Sequence, residues 1–348
     1  MLNHGVDSFQ RFAGTDSHAL KAATSLGSLG VDVFFGISGF LICSRLMEEL
    51  ERRGSISLKG FYIRRALRIL PPYFLCLAGI AVLAALGYLQ VTRWEWLGAL
   101  FFFRNYVPAP VSGWFTGHFW SLAVEEHFYL LWPGALALWG LARARRYVLI
   151  PTLLIAAWRM VEFRLHLGER LIPGLGFFTR TDIRLDTLLW GCWAALLFPE
   201  IRDRVGDWLR GWVWLALVLV FMLCAIYSPP MALLWQSAII PLLLVGTVLH
   251  SREWVGRILE SAPLRWIGKL SYSLYLWQQI FLVDAAQSRN LGIFQNFPVN
   301  VLATFACAAA SFYLIERPAI RLGHRLAKPV NEGRDATPQL QTAPAEGR

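Results

Sequence analysis

Charge is scarce in this chain. Only 16 % of its 348 residues are Asp, Glu, Lys or Arg, against about 25 % in an ordinary soluble domain, which argues against a conventional water-facing globule. Cysteine is equally uninformative as a scaffold. Cys43, Cys76, Cys192, Cys224 and Cys307 are odd in number, each within or beside an apolar run, so neither a disulfide framework nor a metal-ligand spacing is expected. There is no GxSxG elbow and no cysteine in an electropositive setting. No internal repeat, cleavable leader or outer-loop acidic pair that would hold a metal stands out. What is abundant is apolar surface: 56 % of residues are hydrophobic and sixteen are tryptophan. The reading is an all-α, polytopic transmembrane bundle. The net charge of +10 falls in short loops between apolar runs rather than on one face, which places it as a topology signal and excludes nucleic acid as a partner.

A membrane-spanning helix needs about 20 mostly apolar residues. Nine candidates occur, near 30–47, 69–89, 119–141, 146–162, 184–198, 211–227, 231–249, 268–286 and 296–315. The apolar piece Leu97 to Phe103, with Trp94 and Trp96 beside it, is too short to cross and reads as interfacial or re-entrant. If segments 45–68, 142–146, 199–210, 250–269 and 316–348 are cytoplasmic, 23 of the 33 Lys and Arg lie inside. That arrangement obeys the positive-inside rule, so the carboxy terminus is expected in the cytoplasm and 1–29, 90–118, 163–183, 228–230 and 287–295 outside. Residues 1–328 form the integral-membrane domain, and 329–348, without apolar periodicity, are expected to be a disordered cytoplasmic tail.

Charges at membrane depth cost about 2.5–3.5 kcal/mol each and mark functional sites by default. Glu125 and Glu126 lie in GHFWSLAVEEHFYLLWP. His118, Ser121, Glu125 and Tyr129 are three, four and four residues apart, one polar stripe descending from the outer surface, with Glu126 about 100° away. Asp32 opens GVDVFFGISGFLI, whose Gly36, Ser38 and Gly39 admit close approach of a helix or ligand. Arg184 and Asp186 sit in TRTDIRLDTLLWGC; they and Asp32 either tie helices together as ion pairs or contact an acceptor. On the opposite side, Arg65 and Arg68 are i and i+3 in FYIRRALRILPPY, a spacing suited to gripping phosphate. Pro71 and Pro72 are expected to break or restart the helix there.

Six runs resemble the integral-membrane acyltransferase 3 family, whose familiar members are O-antigen and exopolysaccharide acetylases: GVDVFFGISGFLI, RRALRILPPY, HFWSLAVEEHFYLLWP, RTDIRLDTLLWGC, GKLSYSLYLWQQ and YLIERPAIRLGHRLA, in the family's order over nearly the whole chain. The resemblance implies ten spans, the first largely missing here, and acyl transfer, commonly of acetyl, from cytoplasmic acyl-CoA to a hydroxyl of an extracytoplasmic or lipid-linked glycan across the bacterial inner membrane. It implies a donor-binding role for Arg65 and Arg68 and an essential histidine, best matched by His4. His18 is a poorer match because its surroundings read as loop. Because the chain begins three residues before His4, either the true start lies upstream or the protein is a shortened member. The family's histidine after SYSLYLW is Gln278 here.

The residue types supply a chemistry of their own. A sugar hydroxyl attacking a thioester needs a base; imidazole suits the task, and Glu125 would orient it, with Glu126 the second acid. Arg184 could hold the acceptor or offset the oxyanion. No bound cofactor or metal is expected, acyl-CoA being a co-substrate, and the other partners are the glycan and membrane lipids. Direct transfer and an acyl-enzyme both remain open. With Arg65 and Arg68 on one face and the acid on the other, about 30 Å of hydrocarbon would separate them; either the pantetheine arm threads a tunnel lined by Gly36, Ser38 and Gly39, or the acceptor sinks inward. Two alternatives differ in kind: a secondary transporter, which would usually show inverted repeats, and a catalytically inactive family member acting in glycan export.

Overall fold

The computed structural model describes residues 18–227, 232–283 and 290–327. His4, the outer segment 228–230 and the tail 329–348 lie outside the described residues. The described residues are overwhelmingly helical and contain no strand, as expected where lipid cannot satisfy backbone polar groups and each helix must do so internally.

The principal elements are α1 (His18–Arg53), α2 (Leu58–Ala85), α3 (Arg93–Leu100), α4 (Phe119–Tyr147), α5 (Leu149–Leu165), α6 (Leu167–Leu171), α7 (Thr181–Leu196), α8 (Phe198–Val205), α9 (Gly211–Tyr227), α10 (Ala232–Leu249), α11 (Trp254–Leu259), α12 (Ala262–Phe281), α13 (Val299–Ser311) and α14 (Arg317–Leu326), with a π-helical turn, Phe312–Glu316, between the last two. Among the described residues three helices are long and apolar enough to cross a bilayer, Leu29–Arg53, Leu58–Ala85 and Val299–Leu326; a fourth candidate is the pair Phe198–Trp208 and Gly211–Cys224, bent by 105°. The other anticipated spans are helical but short or interrupted by charge, so a count of nine does not follow from helix length alone.

Several boundaries differ from expectation. His18 opens α1 rather than lying in a loop. Helix α2 begins eleven residues before the anticipated 69 and runs through Pro71 and Pro72 without ending. Its start is fixed by Ser57, whose hydroxyl accepts from Gly60 N at 3.2 Å, a standard N-cap. Close to the prolines a neighbouring helix makes contact: Tyr272 Oη donates to Ile69 O at 3.0 Å. Helix α4 breaks at Gly140, whose φ of 67° is in the left-handed region that glycine enters without steric cost. The segment from 316, anticipated beyond the last span, continues as the amphipathic α14 to Leu326. Gly323 lies on its inner face, against Leu67 and Arg64 of α2.

The packing that positions the site centres on α1 and α7. A side chain at Gly39 would overlap the carbonyl of Leu188, and one at Gly191 would overlap that of Gly36, so the two backbones touch as small-residue helix pairs do. Gly36 also faces Ile240 of α10. Gly36 and Gly39 are thus consumed in helix packing and line no tunnel; Ser38 between them turns the other way, toward α4.

Segment 93–103 is wedged into the bundle. Thr92 and Glu95 form a reciprocal capping box at the start of α3, satisfying two donors at once. Tyr73 donates to Ala99 O at 2.8 Å and stacks on Phe102, centroids 4.9 Å apart. Tyr73 lies twelve residues before the end of α2, about 18 Å at 1.5 Å per residue, so this segment packs well inside the end of that helix.

Candidate functional site

The stripe on α4 splits into two halves that face different helices. The lower half meets α1. Tyr129 and Ser38 both donate to Glu125 Oε1, and Ser38 Oγ lies 2.7 Å from Tyr129 Oη. All three residues are buried. Above the Tyr129 ring sits a cation, Arg65 Cζ at 4.6 Å from the centroid, a cation–π contact with α2. The chain of contacts runs Ser38–Glu125–Tyr129–Arg65 across three helices.

This overturns the expected separation of the arginine pair from the acid by the full hydrocarbon thickness. Arg65 is a single side chain removed from Glu125, because α2 begins early and directs Arg65 inward while the α4 stripe descends toward it. Arg68 diverges from its partner: it is exposed, though its charge still reaches Glu125 and Glu316. Glu126 stands off the cluster as helical geometry requires. Its Oε1 is buried with no hydrogen-bond partner among the described residues.

The upper half of the stripe meets α12. Gln279 Oε1 accepts from His118 N at 3.0 Å and lies 2.5 Å from His118 Nδ1, while His118 Nε2 is 3.1 Å from Leu276 O. Ser121 pairs with Tyr275, whose hydroxyl also donates to His118 O. Gln278, which stands where the family commonly has a histidine, is buried with no hydrogen-bond partner for its Oε1 among the described residues; the contact to the stripe is made by its neighbour Gln279.

A second charged cluster joins α1, α5 and α7. Arg184 pairs with Asp32, and Arg159 with Asp186, all four buried. Arg159 Nε also donates to Ile183 O at 2.8 Å. The Arg184 guanidinium lies over the edge-to-face pair of Phe35 and Trp120, 5.8 Å and 5.7 Å from their centroids. Two acids and two bases make the cluster neutral, which is how charge persists at this depth. The ion-pair reading of Asp32, Arg184 and Asp186 therefore describes their contacts. Arg159 was missed from the sequence, although a lone arginine inside an anticipated span was signal enough. Trp120 was missed because an aromatic at the head of a span is ordinary.

Nearer the α7 start, Arg180 bridges Glu162 and Asp182, each at 2.5 Å, and Trp158 Nε1 donates to Asp182 at 2.8 Å. Burial works to raise the Asp182 pKa, but the hydrogen bonds from Arg180 and Trp158 outweigh it and hold the carboxyl below its usual range. Thr181 Oγ1 accepts from Asn105 at 2.9 Å and lies 2.7 Å from His127 Nδ1, tying α4 and α7 to the wedged segment. Among the described residues no group of His, Cys, Asp and Glu is placed to hold a metal. Chemically, the Ser38–Glu125–Tyr129–Arg65 set offers a proton acceptor, two hydroxyls and a fixed cation in one dry place.

Comparison with known proteins accords with this arrangement. A Bacillus subtilis (strain 168) protein, YrhL, provisionally named a peptidoglycan O-acetyltransferase, is 28 % identical over 337 residues, covering 86 % of this chain and 51 % of its own. The peptidoglycan O-acetyltransferase OatA of Listeria monocytogenes is 27 % identical, covering 85 % of this chain and 52 % of its own. A Staphylococcus aureus (strain COL) protein provisionally named an O-acetyltransferase is 29 % identical, covering 86 % and 54 %. The chain thus spans about half the length of the curated relatives it matches. No solved structure matches it. The model of the acyltransferase domain family matches residues 1–316, a stretch that takes in the glutamate stripe, the arginine pair and the buried ion pairs, and the chain therefore belongs to the acyltransferase 3 family.

Proposed function

We propose that the protein is a membrane-bound O-acyltransferase, moving an acyl group, acetyl in the first instance, from cytoplasmic acyl-CoA to a hydroxyl of an extracytoplasmic or lipid-linked glycan. The observation that carries this reading is the unbroken contact from Arg65 through Tyr129 and Glu125 to Ser38. The relatives named for peptidoglycan O-acetylation support a glycan as the acceptor class.

In this reading the bundle sits in the bacterial inner membrane with about nine spans and its carboxy terminus in the cytoplasm. Arg65 and Arg68 attract the donor's phosphates, for which guanidinium is suited. His4 removes the acceptor proton and Glu125 steadies the resulting imidazolium. Glu126, next to Glu125 in sequence and with Oε1 buried, is a second proton store. Arg184, backed by Trp120, and the upper stripe of His118 and Ser121 face the acceptor, while Asp32 and Asp186 hold the two buried arginines in place.

The test is release of free CoA from acetyl-CoA by the purified protein when peptidoglycan fragments or lipid-linked glycans are supplied. Glu125→Gln and His4→Ala are expected to abolish it. Release that persists in Glu125→Gln, or that no glycan stimulates, would overturn the proposal.

A further inference from the structure

We propose that Ser38 is an acyl carrier: its hydroxyl receives the acyl group from the thioester and hands it, as an ester, to the acceptor hydroxyl. The proposal rests on the acyltransferase reading above and resolves the open choice between direct transfer and a covalent intermediate.

Three observations carry it. Ser38 Oγ donates to Glu125 Oε1, which is the pairing of a hydroxyl nucleophile with its base. Tyr129 Oη, 2.7 Å from Ser38 Oγ, also donates to Glu125, so the carboxylate already has a hydroxyl partner and does not need the serine for satisfaction. The serine backbone is pinned: Gly36 and Gly39 on either side are locked against α7 and α10 where no side chain fits. A nucleophile must be held in place to act, and this one is.

Position along the bundle agrees. Ser38 is eleven residues from Glu49, which pairs with Arg64 at 3.2 Å at the basic end, a distance of about 16 Å along α1. Asp32, paired with Arg184, is six residues the other way, about 9 Å. A group loaded at Ser38 would have left the basic end and not yet reached the Arg184 cluster.

The chemistry balances without any other reactant. In the first half-reaction Glu125 takes the Ser38 proton as Oγ bonds to the thioester carbonyl carbon. The carbon–sulfur bond then breaks, and the departing thiolate leaves as CoA with the proton from Glu125. In the second, the glycan hydroxyl gives its proton to the base assigned above, with Glu125 steadying the cation formed, as its oxygen bonds to the ester carbon; the bond to Ser38 Oγ breaks and Oγ takes that proton back. Tyr129 Oη, 2.7 Å from Ser38 Oγ, can turn its one proton from Glu125 to the carbonyl oxygen once Glu125 has been protonated, as an oxyanion stabiliser does. His4 acts on the acceptor in the second half-reaction.

The experiment incubates the full chain with radiolabelled acetyl-CoA in the absence of glycan, quenches in acid and maps the label by peptide mass spectrometry. One acetyl ester on Ser38, removed when peptidoglycan fragments are added before the quench, is the expected result. Ser38→Ala should abolish labelling while melting like the parent, and Ser38→Cys should carry the group as a hydroxylamine-sensitive thioester. CoA release that requires glycan and proceeds with no labelled intermediate, label on another residue, or transfer retained in Ser38→Ala would overturn the carrier role and leave the acyltransferase reading standing. Neither label nor CoA release under any glycan would overturn both.

Discussion

At the scale of single residues, the two hydroxyls on Glu125 do different work, and substitution separates them. Tyr129→Phe removes one hydrogen bond to a carboxylate, worth about 1.5–3 kcal/mol; if that bond persists in the transition state, turnover should fall about 10–100-fold with little change in the KM for acyl-CoA. Arg65→Ala should do the reverse, raising that KM most, with Arg65→Lys restoring part of it because a point charge survives without the planar fork. Steady-state kinetics of CoA release on both variants checks the pair of outcomes. The place of Glu125 in a buried polar stripe was legible in the sequence because spacing at i and i+4 puts four polar groups on one face. The nearness of Arg65 was not. A motif gives a residue's place along its own helix, but how far its side chain reaches into the bundle depends on where that helix begins, and the Ser57 cap set α2 back by about three turns.

Among the elements, α1 and α7 are coupled by both glycine contact and charge. Gly39→Ala would drive a methyl into the Leu188 carbonyl, and overpacking of this kind costs about 1–3 kcal/mol; a lowered melting temperature in detergent is the readout. The Asp32–Arg184 pair can be tested by partner removal. Asp32→Ala alone should destabilise by about 3–5 kcal/mol because it strands a buried cation. Asp32→Leu with Arg184→Met should recover much of that stability without recovering transfer, which is the result expected if Arg184 faces the acceptor. At the start of α7, Asp182 has its pKa depressed by Arg180 and Trp158. A depressed carboxyl contributes stability that is full at neutral pH and is lost as pH falls through its lowered pKa. Asp182→Asn should therefore narrow the stability gap between neutral and acid buffers, measured as melting temperature against pH. Sequence reading located α7 and its acids but could not pair them, because the partners of Asp186 and Arg180 lie on α5, and nothing in one helix announces which neighbour it will face.

For the whole molecule, α14 folds back on the first half of α2, so the loop at 54–57 and the end of α14 belong to one end of the bundle. In a background lacking the five native cysteines, single cysteines at Ser55 and His324 should be labelled by an impermeant thiol reagent from the same side of sealed vesicles, the cytoplasmic one under the proposed orientation. Labelling from opposite sides would refute the arrangement. The helical class was readable from apolar runs alone, since lipid leaves helix as almost the only choice for the backbone; the number of spans was not, because only three of the described helices are long and apolar enough to cross unaided. Nor was the packing of α14 on α2, because what an amphipathic, arginine-rich stretch does depends on the surface it covers.

The wedge formed by residues 93–103 also constrains the order of assembly. Its buried Glu95 and Arg104 meet each other, and Thr116, Ser112 and Gly113, within the same outer stretch, yet the aromatic wall it leans on belongs to α2 and α4 through Tyr73 and Phe119. Buried charges such as these have no cheap home in bare lipid. In a bilayer the wedge would reach its place only once the helix synthesised after it stands beside the one made before it, so Glu125 on α4 would acquire its final surroundings after its own helix had been inserted.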